Sequence, residues 1–353
     1  MMRKLFAWIL FVSPLAVFAQ QYANAYLNIG VGARALALGG NVVARNSLQD
    51  AAYWNSAALS YAGGQGISLM HAAYFGNMAQ LDWVSYIRRT DEKSAVAFSL
   101  LRFGVDNIMN TTKLIDENGD VNYNNISYFS VADYALMMSY GRRSVWRNLD
   151  VGITAKLLYR HIGDFATGYG FGVDAGLLYS LKQWKFGMNL KDLTTTFTFW
   201  QFNRRRLQEI RDAVPGQNLS EPDGNEISVP HIQLGIARRI PVKNPFHLTA
   251  ETDMKIYFAP RNALISGPYF SLSPGLSLEG DYKKTVFLRA GIHRIYRGKY
   301  YDRKIWYVYP SAGIGLKFKY LQFDYAFTDF ASDIRFSHVF SFALDLRIFK
   351  SRR

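Results

Sequence analysis

The sequence predicts an all-β protein: a transmembrane antiparallel β-barrel of about 14 strands, with an N-terminal segment inside or beneath its lumen. Three observations predict it. Alternating segments recur from residue 65 to the C-terminus, their connections alternate between short and long, and no later stretch is apolar enough for a spanning helix. A barrel strand exposes only every second residue to lipid, so a near-neutral mean hydropathy with 16% aromatic residues fits a barrel and excludes a helical membrane protein.

The chain opens Met1-Met2-Arg3-Lys4, runs through apolar Leu5 to Val12 and reaches Val17-Phe18-Ala19. A basic start, a short apolar core and small residues at the cleavage positions read as a signal peptide over 1–19, cut near Ala19. The apolar run is shorter than the ~18–20 residues of a spanning anchor. No cysteine follows it, so a lipoprotein is not expected. With no Cys anywhere, a disulfide framework and thiolate metal sites are excluded.

Residues 20–64 do not alternate. Leu27 to Gly40 and Asp50 to Leu59 are rich in Ala and Gly and partly helical in pattern, as expected of a hatch or plug that packs closely in a lumen. A periplasmic tail is the alternative.

Residues 65–353 are read as the barrel. Strands are expected near 65–74, 79–90, 93–104, 128–142, 147–160, 168–181 and 184–191. The second half should hold 229–240, 245–257, 271–282, 284–295, 305–318, 319–328 and 336–349. In the last, Phe340, Phe342, Leu344, Leu346 and Ile348 would face lipid, while Val339, Ser341, Ala343, Asp345 and Arg347 would face inward. A soluble sandwich could alternate in the same way, but it has no reason to keep every long loop on one side. With both termini periplasmic, 105–127, 192–228 and 258–270 become extracellular loops, and the barrel lies in the outer membrane of a Gram-negative bacterium.

Alternation also places charges in the lumen: Asp174, Glu251, Asp253, Lys255, Glu279, Asp281, Arg289, Asp324, Asp345 and Arg347. Both signs occur, so mutual pairing and pairing with the hatch is the expected state, with a polar channel the alternative. The long 192–228 loop joins an aromatic patch, Phe197, Phe199 and Trp200, to a basic and helical-looking run, Arg204, Arg205 and Arg206. Those residue types suit a partner-docking surface, or else a lid or lipopolysaccharide-facing loop.

The net charge of +14, from 41 Lys+Arg against 27 Asp+Glu, is scattered along the chain rather than gathered on a helix. Lipopolysaccharide phosphates or an anionic surface partner are the expected counter-charges, and no nucleic acid is expected. Gly30-Val31-Gly32-Ala33-Arg34-Ala35 matches the short dinucleotide fingerprint, but no βαβ unit flanks it, so close packing is the reading. The run Asp116 to Asn122 resembles the start of a calcium loop, yet Val121 and Ser127 stand where Gly and Glu belong. The six histidines lack metal-ligand spacing, and no Gly-x-Ser-x-Gly elbow occurs. No cofactor, metal or catalytic residue is therefore assigned, and an enzyme is not expected.

The pattern from Leu27 through Gly40, followed by Asp50 to Leu59, resembles the N-terminal signature of the PorV/PorQ family, FadL-like outer-membrane proteins of Bacteroidetes linked to type IX secretion. The commoner family form is Asn-Pro-Ala-Gly-Leu. Here Asn55, Ala57 and Leu59 match it, and Ser56 and Ala58 replace the Pro and Gly. Gly172 to Tyr179, Phe186 to Asp192, Val229-Pro230-His231, Leu288 to Gly291 and Leu321 to Phe327 are similar to family stretches in order along the chain. The resemblance implies a non-catalytic accessory of protein secretion whose loops bind a translocon subunit or secreted cargo. The alternative is a FadL-like transporter of a hydrophobic ligand.

Overall fold

The computed structural model describes residues 23–46, 49–115, 119–213, 224–300, 303–328 and 337–349. The expected signal peptide and the Asp116 to Asn118 part of the acidic run lie outside the described residues. Seventeen strands make one sheet among those residues. The first seven are β1 (Gln65–Tyr74), β2 (Ala79–Arg89), β3 (Ser94–Asn110), β4 (Ser127–Trp146), β5 (Leu149–Ile162), β6 (Ala166–Leu181) and β7 (Trp184–Lys191). Then come β8 (Thr196–Phe202), β9 (Asn225–Ser228), β10 (His231–Pro241), β11 (Phe246–Tyr257) and β12 (Ile265–Ser266). The last are β13 (Ser271–Tyr282), β14 (Val286–Tyr300), β15 (Arg303–Lys317), β16 (Leu321–Thr328) and β17 (Ser337–Asp345).

Setting aside the short β8, β9 and β12, a closed antiparallel barrel of 14 strands remains. It closes where β1 pairs with β17, Ser68 standing opposite Ala343. Closure leaves no edge strand, which lets a sheet live in lipid with its backbone groups paired.

The period-2 pattern places the faces as expected. On β17 Val339 and Ala343 are buried toward the lumen while Phe340 is exposed outside. Tyr134, Tyr159 and Tyr169 stand opposite one another on β4, β5 and β6, their rings about 6 Å apart on the outer wall. Such an aromatic row suits the boundary between lipid and water.

The strands follow the sequence reading, but β3 runs on to Asn110 and β14 to Tyr300, and β12 lies within 258–270, where the sequence reads as loop; two differences are larger. Residues 192–228 are not one loop: β8 extends the wall along the upper half of β6, β9 pairs with β8, and between them α3 (Arg204–Ala213) forms a helix. The alternation Thr196, Thr198 against Phe197, Phe199 was a strand signal. It was masked by the preceding turn, where Asp192 (φ 56°) and Thr195 (φ 62°) interrupt the ladder. The second difference is at the end. Leu346–Phe349 is a 3-10 turn, so alternation stops at Asp345, and Arg347 sits at the rim, bound to Asp345, rather than lining the lumen.

Inside the ring lie residues 23–46 and 49–62, in short pieces: 3-10 turns at Ala25–Asn28 and Ser56–Tyr61, and helices α1 (Ala33–Ala37) and α2 (Ala51–Trp54). Nearly every residue of α1 and α2 is buried. Gly30 and Gly32 hold φ of 101° and 83°, and a Cβ on Gly32 would lie 1.8 Å from the Asp50 carboxylate. The fingerprint-like glycines thus serve a tight turn of the hatch, where only glycine is unstrained.

Candidate functional site

The hatch–wall contact has two unlike halves. Strands β1 to β6, β16 and β17 meet it with apolar side chains: Met70, Ala72, Tyr74, Leu81, Trp83, Ala97 and Leu101 cluster with Leu36, Tyr53, Trp54 and Leu59. Trp83 is fully buried, its ring 6.0 Å from that of Tyr53, edge to face. Wall glycines let the hatch backbone touch the sheet itself. Gly141, Gly152 and Gly176 stand side by side on β4, β5 and β6, and a Cβ on Gly152 would come within 2.3 Å of Ser56 and Ala57 backbone atoms.

Strands β10 to β14 present charge instead. Arg34 of the hatch grips Glu279 through two bonds, of 3.0 and 2.9 Å. Arg45 bridges Glu251 at 2.8 Å and Glu279 at 3.0 Å. Arg289 of the wall reaches Glu279 and Asp324, each at 2.7 Å. Three guanidiniums therefore surround one carboxylate. Glu251 and Asp253 also accept the backbone N–H groups of Ala44 and Val43. Buried charges persist only when paired and hydrogen-bonded in this way.

Asp50 closes the hatch from within. Burial pushes its carboxyl up to about 6, against the Ser68 hydroxyl that donates to it at 3.2 Å, while nearby Asp324 adds to the rise.

A third feature lies in the wall. β6 pairs with β8 over Ala166–Phe171 and with β7 over Ala175–Leu181, so Gly172 to Asp174 belong to neither ladder. The detour is fastened by the buried Lys156 ammonium, 2.6 Å from both Asp174 and Asp192, and by Thr196 donating to Asp192. Beside it Lys191 rests 3.8 Å over the Tyr53 ring of the hatch.

Of the residues singled out in the sequence, Asn55, Ala57 and Leu59 all lie in this contact. Asn55 donates to the carbonyls of Val43 and Leu177 and caps the following turn by accepting from Ala57 N–H. Asp174, Glu251, Asp253, Glu279, Arg289 and Asp324 face inward and are buried; Arg347 does not join them. The aromatic patch is divided. Phe197 and Phe199 point outward, Phe197 against Phe171, whereas Trp200 turns inward under the Arg160 guanidinium at 4.7 Å. Arg204, Arg205 and Arg206 open α3; Arg205 is exposed, and Arg206 pairs with Glu209. The structure does not bring the six together as one surface.

Sequence reasoning missed Arg34 and Arg45. They are the only basic residues in 20–64, facing a lumen already read as acidic. Among the described residues no group of three or more His, Asp or Glu is arranged to hold a metal ion.

No protein-family model and no curated protein sequence matches the chain. Solved structures do. The Pseudomonas putida toluene transporter TodX is 13% identical, with a TM-score of 0.53 over 89% of this chain and 98% of its own. The Ralstonia pickettii toluene transporter TbuX is 12% identical, with a TM-score of 0.51 over 89% and 98%. CymD, a monoaromatic hydrocarbon channel, is 13% identical, with a TM-score of 0.52 over 90% and 98%. At such identity the likeness is one of fold, a closed antiparallel barrel of 14 strands.

Proposed function

We propose that this chain is an outer-membrane barrel that passes hydrophobic compounds, described here with its hatch shut. The observation that carries the reading is the detour at Gly172 to Asp174, where the wall ladder changes partners next to the hatch. Elsewhere ladders between two fixed partners separate lipid from lumen, with register shifts inside the β3–β4, β4–β5 and β14–β15 pairs. At the detour they are separated by one backbone bond, from Leu193 N–H to the Val173 carbonyl at 2.8 Å, and by the side chains Lys156, Asp174, Asp192 and Thr196, which can rearrange without breaking the β6–β7 or β6–β8 ladder. An apolar molecule leaving there enters the bilayer directly and need not cross the charged face. The likeness to hydrocarbon transporters supports the same reading, which sets the long-loop end outside the cell and the short-turn end in the periplasm.

The test uses the absence of native cysteine. Ala33 N–H donates to Ser341 Oγ at 2.7 Å, so Ala33→Cys with Ser341→Cys pins the hatch to β17. Cells displaying the reduced protein should take up toluene faster than cells without it, and oxidation should abolish the gain. Uptake equal to the empty cell, or unchanged by the cross-link, would overturn the reading.

A second reading, the type IX secretion accessory of the PorV/PorQ kind, is favoured by one observation: the lumen at hatch level is filled by apolar packing and paired charge. A plugged barrel that recognises protein needs no passage. Gentle extraction from the native host with secretion-channel subunits attached, together with no uptake, would favour it over the first.

A further inference from the structure

At the short-turn end the barrel holds a cavity of about 580 Å³ beneath the hatch. Its sides are strand ends and turns, and they are basic: Lys185, Arg239, Lys284, Lys317, Lys319 and Arg347 line it, against Asp281 and Asp345. Arg347 is held by Asp345, and Arg239 lies 3.9 Å from Asp281. Lys185, Lys284 and Lys317 have no ion-pair partner among the described residues. The inner end of the cavity is the hatch itself, where Arg34 and Arg45 meet Glu279.

A concave mouth with a clear excess of one sign of charge, set in low-dielectric walls, focuses its field and concentrates counter-ions. The volume falls in the range of small-molecule sites. The unpaired groups come from β7, the turn after β13, and the end of β15, so their charges are spread around the mouth rather than gathered at one point. Ammonium groups on flexible stems are point charges that follow an oxyanion, unlike a guanidinium fork fixed on one carboxylate.

We propose that this mouth is a binding site for a small oligoanion, a molecule carrying two or more phosphate or carboxylate groups, shared among Lys185, Lys284 and Lys317. The inference stands apart from the passage reading, since it concerns the other side of the hatch. An anion reaching the inner end also meets Arg34 and competes with Glu279 for it, which links occupancy of the mouth to the fastening of the hatch.

Calorimetric titration of the detergent-solubilised full chain tests it, with tripolyphosphate, inorganic phosphate and hexa-aspartate as probes at one fixed ionic strength. Tripolyphosphate should bind at least tenfold more tightly than phosphate. The double variant Lys185→Gln/Lys317→Gln should weaken it at least tenfold. Lys284→Gln, in an exposed turn where folding is not at stake, should weaken it several-fold, and Lys113→Gln near the other end should leave it unchanged. Absence of tripolyphosphate binding, or equal binding by the parent and both vestibule variants, would overturn the proposal. Binding of hexa-aspartate alone would overturn the ligand class and point to an acidic peptide.

Discussion

The two sides of the hatch are fastened by different physics. Toward β1 to β6 the contact is mainly apolar and close-packed, with single hydrogen bonds such as Ser68 to Asp50 and Tyr61 to Asp150; toward β10 to β14 it is a chain of arginines and carboxylates with named geometry. Apolar packing is non-directional and supplies bulk stability. Buried ion pairs add little net stability against apolar replacements, yet breaking one is costly because a charge is left behind. One side therefore holds the hatch in place, whereas the other fixes how it is seated and can be shifted by ions.

The comparison breaks first at Trp83. Trp83→Ala removes the largest fully buried side chain on the apolar side and should cost about 3–5 kcal/mol. Thermal unfolding, followed by the gel shift between folded and heated barrel, measures it; a loss below about 1 kcal/mol would mean that the apolar half is not the anchor. On the charged side Glu279→Gln leaves Arg34, Arg45 and Arg289 around a neutral amide and should cost about 3 kcal/mol. Here salt matters: the deficit should shrink as added anions reach the mouth, whereas that of Trp83→Ala should not.

Gly152→Ala probes the close contact of hatch and wall. The added methyl meets the Ser56–Ala57 backbone, so the hatch must move, at about 1–3 kcal/mol. Hydrogen exchange at Ala57 and Ala58 should rise in this variant while strand amides stay protected, and faster exchange in the strands instead would place the strain in the wall.

The pH response is smaller and has a definite sign. Asp50 belongs to the hatch, and its carboxyl is raised from 3.8 to about 6, chiefly by burial. The folded state thus holds this proton more tightly than the unfolded chain. Its contribution is full below about pH 4 and is lost as pH rises through 6. Asp50→Asn should remove that slope and be more stable than the parent above pH 6, as read from melting temperatures between pH 4 and 8. An unchanged slope would show that Asp50 is ionised throughout. Least affected should be Arg205→Ala on the exposed start of α3, within about 0.5 kcal/mol.

Much of this architecture was legible in the sequence because period-2 alternation is a local signal. Glu279 and Arg289 could be placed in the lumen from their neighbours alone. The partners could not: Arg34 and Glu279 are 245 residues apart, and only closure of the ring brings them together. The end of β17 misled for a related reason. Leu346 and Ile348 continue the alternation, but the chain has already turned at Asp345, where Arg347 folds back on its carboxylate. At Asp192 to Thr195 the ladder is broken by left-handed residues that carry no Gly or Pro mark, so the strand after them read as loop.

With residues 23–46 and 49–62 packed across the lumen, the intact barrel should carry no steady ionic current. Single-channel recording in planar bilayers tests it most directly, comparing the intact chain with one lacking those residues. The intact barrel should be silent and the hatchless one should give steady ionic steps. Steady conductance through the intact chain, equal to that of the hatchless barrel, would contradict it.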